Sequence, residues 1–312
     1  MIAFQSPINM RQCRAVYLHG NIPVPKEAPC YVVYGASKDY SAQGSFGLSL
    51  KTVRSGSILF ECGGGAHLVT PDSYLVINQG QEYQVSIKTS QPTQPVSFFY
   101  SKPFLNDVMA SWATSYEQAL DGELAQNLKE QAFYEKLYFD PTMLQALKTF
   151  FMRFDDLRDD SEWLREQSAM ILSRLLSVHL DTVREVNGLR LARESTREEI
   201  YRRLHKARDY ALAHLQEPVT LDELANVACF SPSYFMRTFK SVFGTTPYQY
   251  IVQHRLERAK RLLVNTDMPI GEVCLAVGFQ SFGAFSWFFS KKTGLCPERY
   301  RKAQREQILL AG

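Results

Sequence analysis

The sequence predicts an α+β chain. A β barrel or jelly roll comes first, helices follow, and an all-α unit with two helix-turn-helix motifs ends it. Three observations predict this. Short β-branched and aromatic runs alternate with turn residues up to about residue 100. From Lys102 onward, apolar residues recur at helical steps of three and four. From Ser231 to Arg301 the chain says nearly the same thing twice, fifty residues apart.

The β runs are Cys30–Tyr34, Gly47–Val53, Ser57–Glu61, Ser73–Asn78, Glu82–Ile87 and Val96–Tyr100. Many short strands at this spacing suit a sandwich or barrel. Among them lies Gly63-Gly64-Gly65-Ala66-His67. It is not a phosphate loop, because no Gly-Lys-Ser/Thr follows. Metal-binding barrels of the cupin type use a close His-x-His pair with a downstream carboxylate. His67 stands alone, and Glu61 and Cys62 are poor substitutes at these spacings. The run is read as a turn between strands, with a loop beside a ligand cavity as the rival reading. No metal and no cofactor is expected.

The period then changes. Pro103–Leu120 carries Phe104, Val108, Trp112 and Tyr116 at four-residue steps. Pro141–Asp156 carries Met143, Leu147 and Phe150, and Glu162–Val186 carries Leu164, Ile171, Leu172, Leu175 and His179. Asp155–Asp160 between them reads as a solvated connection. Residues 1–186 are the expected N-terminal domain. Residues 187–197, with Gly188 and several charges, are the expected linker, and 198–312 the second domain.

Six positions of the repeat agree at one offset: Ser231/Ser281, Phe235/Phe285, Phe239/Phe289, Gly244/Gly294, Pro247/Pro297 and Tyr250/Tyr300. Two copies are too few for a solenoid, which needs about three, so each is a small helical module. A first helix shows its apolar face as Leu221, Leu224 and Ala225, then as Ile270, Val273 and Cys274. Thr220 and Glu223 form an expected capping box. Tight turns follow at Ala228-Cys229-Phe230 and Val277-Gly278-Phe279. Gly278 suits a positive φ; Cys229 is a weaker fit there. Ser231 is expected to cap the second helix, with Pro232 at its first position. Phe235, Phe239 and Val242 share a face, and Gly244 and Gly294 stop the helices.

From about Lys206 to Lys302 this pattern resembles the DNA-binding domain of the AraC/XylS family of transcription regulators. Ser231-Pro232-Ser233-Tyr234-Phe235 through Tyr250 is similar to the first family signature, and Ile270 through Arg301 to the second. Arg255–Thr266 resembles the connecting helix. The resemblance implies double-stranded DNA as partner. It extends loosely to the N-terminal part, which is similar to the cupin-like sensor domain of many such regulators. It therefore also implies a small-molecule effector of unknown identity and helices that pack two subunits into a homodimer. Activation is the commoner mode in such families, and RNA polymerase would then be a partner. The rival for the helical stripes is that they only cover the sheet.

Charge fits this reading. Residues 201–312 hold 16 Lys and Arg against 9 Asp and Glu. That local +7 leaves −4 for the rest of a chain whose total is +3. One basic end is the asymmetry expected when that end meets a polyanion. No apolar run reaches the ~18 residues of a membrane span, and no secretory signal is apparent, so a cytoplasmic protein is expected. The six Cys, at 13, 30, 62, 229, 274 and 296, form no CxxC pair and are expected to be reduced thiols.

In copy one the expected DNA-contacting residues are Ser231, Ser233, Tyr234, Arg237, Lys240 and Ser241, off the Phe235/Phe239 face. Arg237 can take a guanine edge, worth about 1–3 kcal/mol of discrimination; its rival role is a surface ion pair. Lys240 suits phosphate, as do the backbone N–H groups at Ser231 and Ser233. In copy two they are Gln280, Ser281, Ala284, Ser286, Trp287 and Lys291. This copy departs from the family pattern, with Trp287 where Arg is common and Ser290 where Lys is common. It is open whether copy two reads bases or binds backbone through Lys291, Lys292 and Arg301. Trp287 is either a contact or core. The connecting helix, Tyr248 to Val264, spans roughly 25 Å at about 1.5 Å per residue. That suits two prongs near one DNA turn apart, roughly 34 Å. Arg255, Arg258, Lys260 and Arg261 on it are expected to face solvent or phosphate.

Three rivals remain. A cupin-type metal-dependent enzyme fused to a DNA-binding module would want a metal triad that the six His do not supply. A DNA-repair methyltransferase regulator would want a Cys cluster. An architectural DNA binder would not need the large N-terminal part. No enzyme activity is expected.

Overall fold

The computed structural model describes residues 13–17, 29–116, 132–189 and 194–311. It divides into two compact units, residues 1–202 and 203–312. Part of the expected linker, 190–193, and the expected helix end at 117–120 lie outside the described residues.

In unit 1 the strands are β1 (Arg14–Tyr17), β2 (Cys30–Tyr34), β3 (Ser37–Ser45), β4 (Leu48–Ser55), β5 (Ile58–Cys62), β6 (Gly65–Val69), β7 (Tyr74–Ile77), β8 (Glu82–Tyr100) and β9 (Leu137–Tyr138). β8 is the spine. Its C-terminal part, Val96–Tyr100, pairs antiparallel with β2 on one side and β4 on the other. Its N-terminal part pairs antiparallel with β3 and β5. β7 and β9 extend outward from β4, β6 adds to β5, and β1 lies parallel to β2. The result is a nearly closed, mainly antiparallel barrel.

Val96, Phe98 and Tyr100 alternate onto one face of β8, with Leu50 and Val76 beside them. Helices cover that face: α1 (Lys102–Tyr116), α2 (Pro141–Leu157) and α3 (Ser161–Asn187). Phe98 meets Phe150 of α2 edge-on at 5.0 Å between ring centroids. Phe99 points to the other face, stacked on Tyr31 at 4.7 Å, with the Lys51 ammonium 3.7 Å from its centroid. Strands buried on both faces lose the apolar–polar alternation, which is why Cys30–Tyr34 and Tyr74–Ile77 read as continuous apolar runs.

Several expectations need correction. Glu82–Ile87 and Val96–Tyr100 are one strand, because Pro92 and Pro95 sit where β8 changes partners. Residues 65–69 are strand, and the turn is only Gly63-Gly64, both at positive φ. The helical stripes are buried against the sheet in one and the same core, so covering the sheet accounts for them. Asp160 is more than a solvated connector, since it caps α3 by accepting the Glu162 and Trp163 N–H groups at 3.0 Å. Cys13 and Cys30 are paired as a disulfide rather than free, with Cα atoms 5.1 Å apart.

Helix α4 (Glu194–Ala213) leads into unit 2, which continues with α5 (Leu221–Val227), α6 (Pro232–Phe243), α7 (Pro247–Asn265), α8 (Ile270–Ala276), α9 (Phe282–Thr293) and α10 (Pro297–Ala311). The twin cores share three ring positions. Phe235 and Phe285 are fully buried. Phe239 meets Tyr250 at 5.6 Å and 83°, and Phe289 meets Tyr300 at 5.3 Å and 81°. The repeat also runs past its expected end. Arg255 donates from Nε to Leu215 O (2.9 Å) and from Nη2 to Glu217 O (2.7 Å). Arg305, fifty residues on, donates to Val264 O (3.0 Å), to Thr266 O and to Asp267 Oδ1 (2.7 Å). Each guanidinium thus satisfies carbonyls just beyond or at the end of the helix preceding its module, where orphan acceptors and negative dipole favour a cation. Helix α7 closes module one and opens module two.

Candidate nucleic-acid interface

Local chemistry shapes each prong. Thr220 and Glu223 form the capping box on α5. Both turns then show the same bonding: Cys229 N to Asn226 O and Phe230 N to Ala225 O, against Gly278 N to Leu275 O and Phe279 N to Cys274 O. This is a Schellman end, which wants a left-handed residue just past the helix. Gly278 supplies it at φ 88°, and Cys229 is forced to φ 53°. Ser231 stands at the N-cap of α6 in extended conformation, yet its side chain makes no capping bond. Pro232 fixes the first turn instead. Ser281 does cap α9, accepting from Ala284 N at 3.4 Å. Gly244 and Gly294 end the two helices in the left-handed region.

With Phe235 and Phe239 turned inward, α6 presents Ser231, Ser233, Arg237, Lys240 and Ser241 to solvent, and Tyr234 is half-buried against Phe230. Arg237 makes no ion pair among the described residues; its Nε leans on Ser233 O at 3.4 Å. That leaves its paired Nη groups at the surface, the geometry a bidentate contact uses. On α9, Ser281, Ala284, Trp287 and Lys291 are exposed, Gln280 is exposed just before it, and Ser286 is half-buried. Trp287 is 63% exposed, so it is not core, and the Lys291 ammonium lies 4.7 Å from its ring centroid. Phe282, 54% exposed at the first turn of α9, was missed by reasoning from sequence, which assigns Phe to cores.

The arginines divide differently than expected. Arg255 and Arg301 serve structure: Arg301 donates to Leu263 O (3.1 Å) and Met268 O. Arg258 is half-buried, and Lys260 pairs with Glu257 at 3.0 Å. The cations left at the surface of module two are Lys291, Lys292, Arg299 and Lys302.

Two modules with an aromatic hinge inward and a polar, basic helix face outward define a twin helix-turn-helix nucleic-acid-binding unit. Comparison with known proteins agrees. Residues 224–303 match the helix-turn-helix domain family. The chain is 38% identical over 93 residues to the probable transcriptional regulator LumQ of Photobacterium leiognathi, covering 30% of this chain and 38% of that protein. It is 36% identical over 97 residues to the bifunctional transcriptional activator/DNA repair enzyme AdaA of Bacillus subtilis, covering 31% and 46%. The solved DNA-binding domain of AdpA, in complex with a target DNA, is 35% identical, with 33% of this chain and 94% of that one covered and a TM-score of 0.33. Unit 2 is thus an AraC-type helix-turn-helix DNA-binding domain. The chain spans less than half the length of the first curated relatives it matches.

Within unit 1 the structure gathers residues that the sequence kept apart. Cys62, His67 and Glu135 bring a thiol, an imidazole and a carboxylate within 4.8 Å of one another. From sequence, His67 counted as alone, because its acidic partner lies 68 residues downstream. Among the described residues, no helix is long and apolar enough to cross a membrane.

Proposed function

We propose that the whole chain is a cytoplasmic, non-enzymatic transcription regulator that binds double-stranded DNA and responds to a small molecule. The single observation that carries this is the pair of matched modules, each with its second helix offering exposed polar and basic side chains. In this reading residues 198–312 hold the DNA and residues 1–186 sense the effector, with 187–197 between them. Arg237 reads a base edge, while Lys240 and the N–H groups at the start of α6 hold phosphate. Module two works through Trp287, Phe282 and Ala284 against thymine methyls and through Lys291 against phosphate.

Among the described residues, Lys51 is a barrel side chain suited to an effector. Lys51 is fully buried, and burial pushes its pKa well down. An acidic effector group beside it would restore its charge. Effector binding shifts an equilibrium between domain arrangements. Two subunits then place four helix-turn-helix units on one promoter, and as an activator the dimer would contact RNA polymerase. Met152 of α2, 81% exposed, and Met170 of α3 lie outside the sheet-covering stripe and supply apolar surface for a second subunit.

The test has two arms. Selection of binding sites from random duplexes by the full chain is expected to return one sequence with two separated blocks. A thermal-shift screen of metabolites is expected to find a small acid that raises the melting point. Binding that is equal on all duplexes overturns the regulator reading, and an architectural binder replaces it.

A further inference from the structure

We propose that Cys62, His67 and Glu135 form a binding site for a divalent ion of the zinc class, at one end of the β5–β6 hairpin. The three donors are a soft sulfur, a borderline nitrogen and a hard oxygen, a set that suits zinc, with a fourth position left for water or another ligand. Bonds of ~2.0–2.3 Å in a tetrahedron put neighbouring donor atoms roughly 3.3–3.7 Å apart. His67 Nε2 and Glu135 Oε1 stand 3.5 Å apart, and all three donors lie within 4.8 Å. Closing that set around an ion takes shifts of about 1 Å or less, well within side-chain motion.

The surroundings are built for it. Alternation along β5 and β6 turns Cys62 and His67 to the same buried side, and both are almost fully shielded from water. Gly63 sits at φ 51°, and a side-chain carbon there would collide with both Glu135 carboxylate oxygens. A Cβ at Gly65 would press on His67 Nε2 at 3.1 Å. The glycine run that the DNA-binding reading leaves unused is therefore the space the carboxylate and imidazole occupy. Glu135 is also aimed. Gln81 Nε2 donates to its Oε2 at 2.6 Å, and Gln81 Oε1 accepts from Asn78 N at 3.0 Å. Asn78 in turn exchanges two 2.9 Å bonds with the backbone of Phe133. Such outer hydrogen bonds fix ligand orientation in metal sites. An ion here ties the β5–β6 hairpin to the segment that leads into β9.

The experiment uses the full chain, stripped with a chelator and reloaded with Co²⁺ or Zn²⁺. One Zn²⁺ per chain is expected by elemental analysis after desalting. Co²⁺ is expected to give an intense thiolate-to-cobalt charge-transfer band. Cys62→Ser should abolish that band, and His67→Ala and Glu135→Gln should weaken ion binding further than Gln81→Ala does. Gln81→Ala, which touches no ion, should weaken it about 10–100-fold. Because Cys62 and His67 are buried, circular dichroism checks each variant's folding, and the half-exposed Glu135 and Gln81 carry the test if they unfold. Cys229→Ser with Cys296→Ser should leave stoichiometry unchanged. No retained ion in the parent chain overturns the site, as does a band carried by Cys229 and Cys296, or binding unmoved by both Glu135→Gln and Gln81→Ala. None of these readouts involves DNA, so the site and the regulator reading stand or fall separately.

Discussion

The two Schellman turns make the same demand of one position and fill it with different residues, so replacing each should change stability in opposite directions. Cys229 holds φ 53° with a Cβ attached. For an L-residue the left-handed region costs roughly 1–2 kcal/mol. Replacing Cys229 with Gly removes that cost and adds about 0.5–1 kcal/mol of unfolded-state freedom. The thiol is exposed, so little packing is lost. The net expectation is a gain of about 0.5–1 kcal/mol, a rise of a few degrees in the melting point of a unit this size. At Gly278, φ 88° carries the same cost for Ala, and the new Cβ would run into the Leu215 carbonyl oxygen and stand 2.9 Å from Arg255 Nη2. Overpacking against backbone adds roughly 1–3 kcal/mol, so Gly278→Ala should lose about 2–4 kcal/mol in all. Urea denaturation followed by far-ultraviolet circular dichroism measures both. A Cys229→Gly variant less stable than the parent, or a neutral Gly278→Ala, would refute the reasoning.

Other predictions follow from the same geometry. Arg237→Ala should relax base choice at one position of the selected site, costing about 1–3 kcal/mol there, whereas Lys240→Ala should weaken all duplexes alike and reduce the salt slope by about one; binding isotherms across salt separate the two. Arg305→Ala should destabilise unit 2 by roughly 2–3 kcal/mol, since charge-assisted bonds to otherwise orphaned carbonyls vanish, and Arg255→Ala should do likewise if the repeat extends as described. His179 is buried, and among the described residues neither ring nitrogen has a hydrogen-bond partner. Burial, then the nearby Lys136 ammonium, holds its pKa down to about 4. The folded chain keeps it neutral while the unfolded chain protonates it near pH ~6.5. Stability is therefore full above ~6.5 and lost as pH falls toward about 4, by about 1.4 kcal/mol at pH ~5.5. His179→Leu should flatten that part of the pH–stability curve; an unchanged slope would remove His179 from the account.

What could be read from the chain and what could not divide along physical lines. The modules were legible because Phe235, Phe239, Gly244 and their partners fifty residues on are dictated by local helix geometry. Helices α2 and α3 were legible for the same reason, through stripes such as Met143, Leu147 and Phe150. β3 was not, because Ser37–Ser45 is polar on both faces and shows no apolar alternation. The unity of β8 was hidden by Pro92 and Pro95, which normally argue against a strand interior. Arg255 and Arg301 looked like phosphate contacts, since nothing in a sequence tells a guanidinium facing water from one facing helix-end carbonyls. Glu135 joins Cys62 and His67 only once the segment before β9 folds back onto the hairpin, a long-range pairing with no local signature.

Helix α7, 19 residues long, spans roughly 28 Å and holds the two modules at either end. Hydroxyl-radical footprinting of the full chain on its selected duplex measures what that spacing does. The account predicts, for each subunit, two protected patches on one face of the duplex, about one helical turn or 10–10.5 base pairs apart. Trp287→Ala together with Lys291→Ala should erase one of the two. A single patch per subunit, or two patches indifferent to those changes, would contradict it.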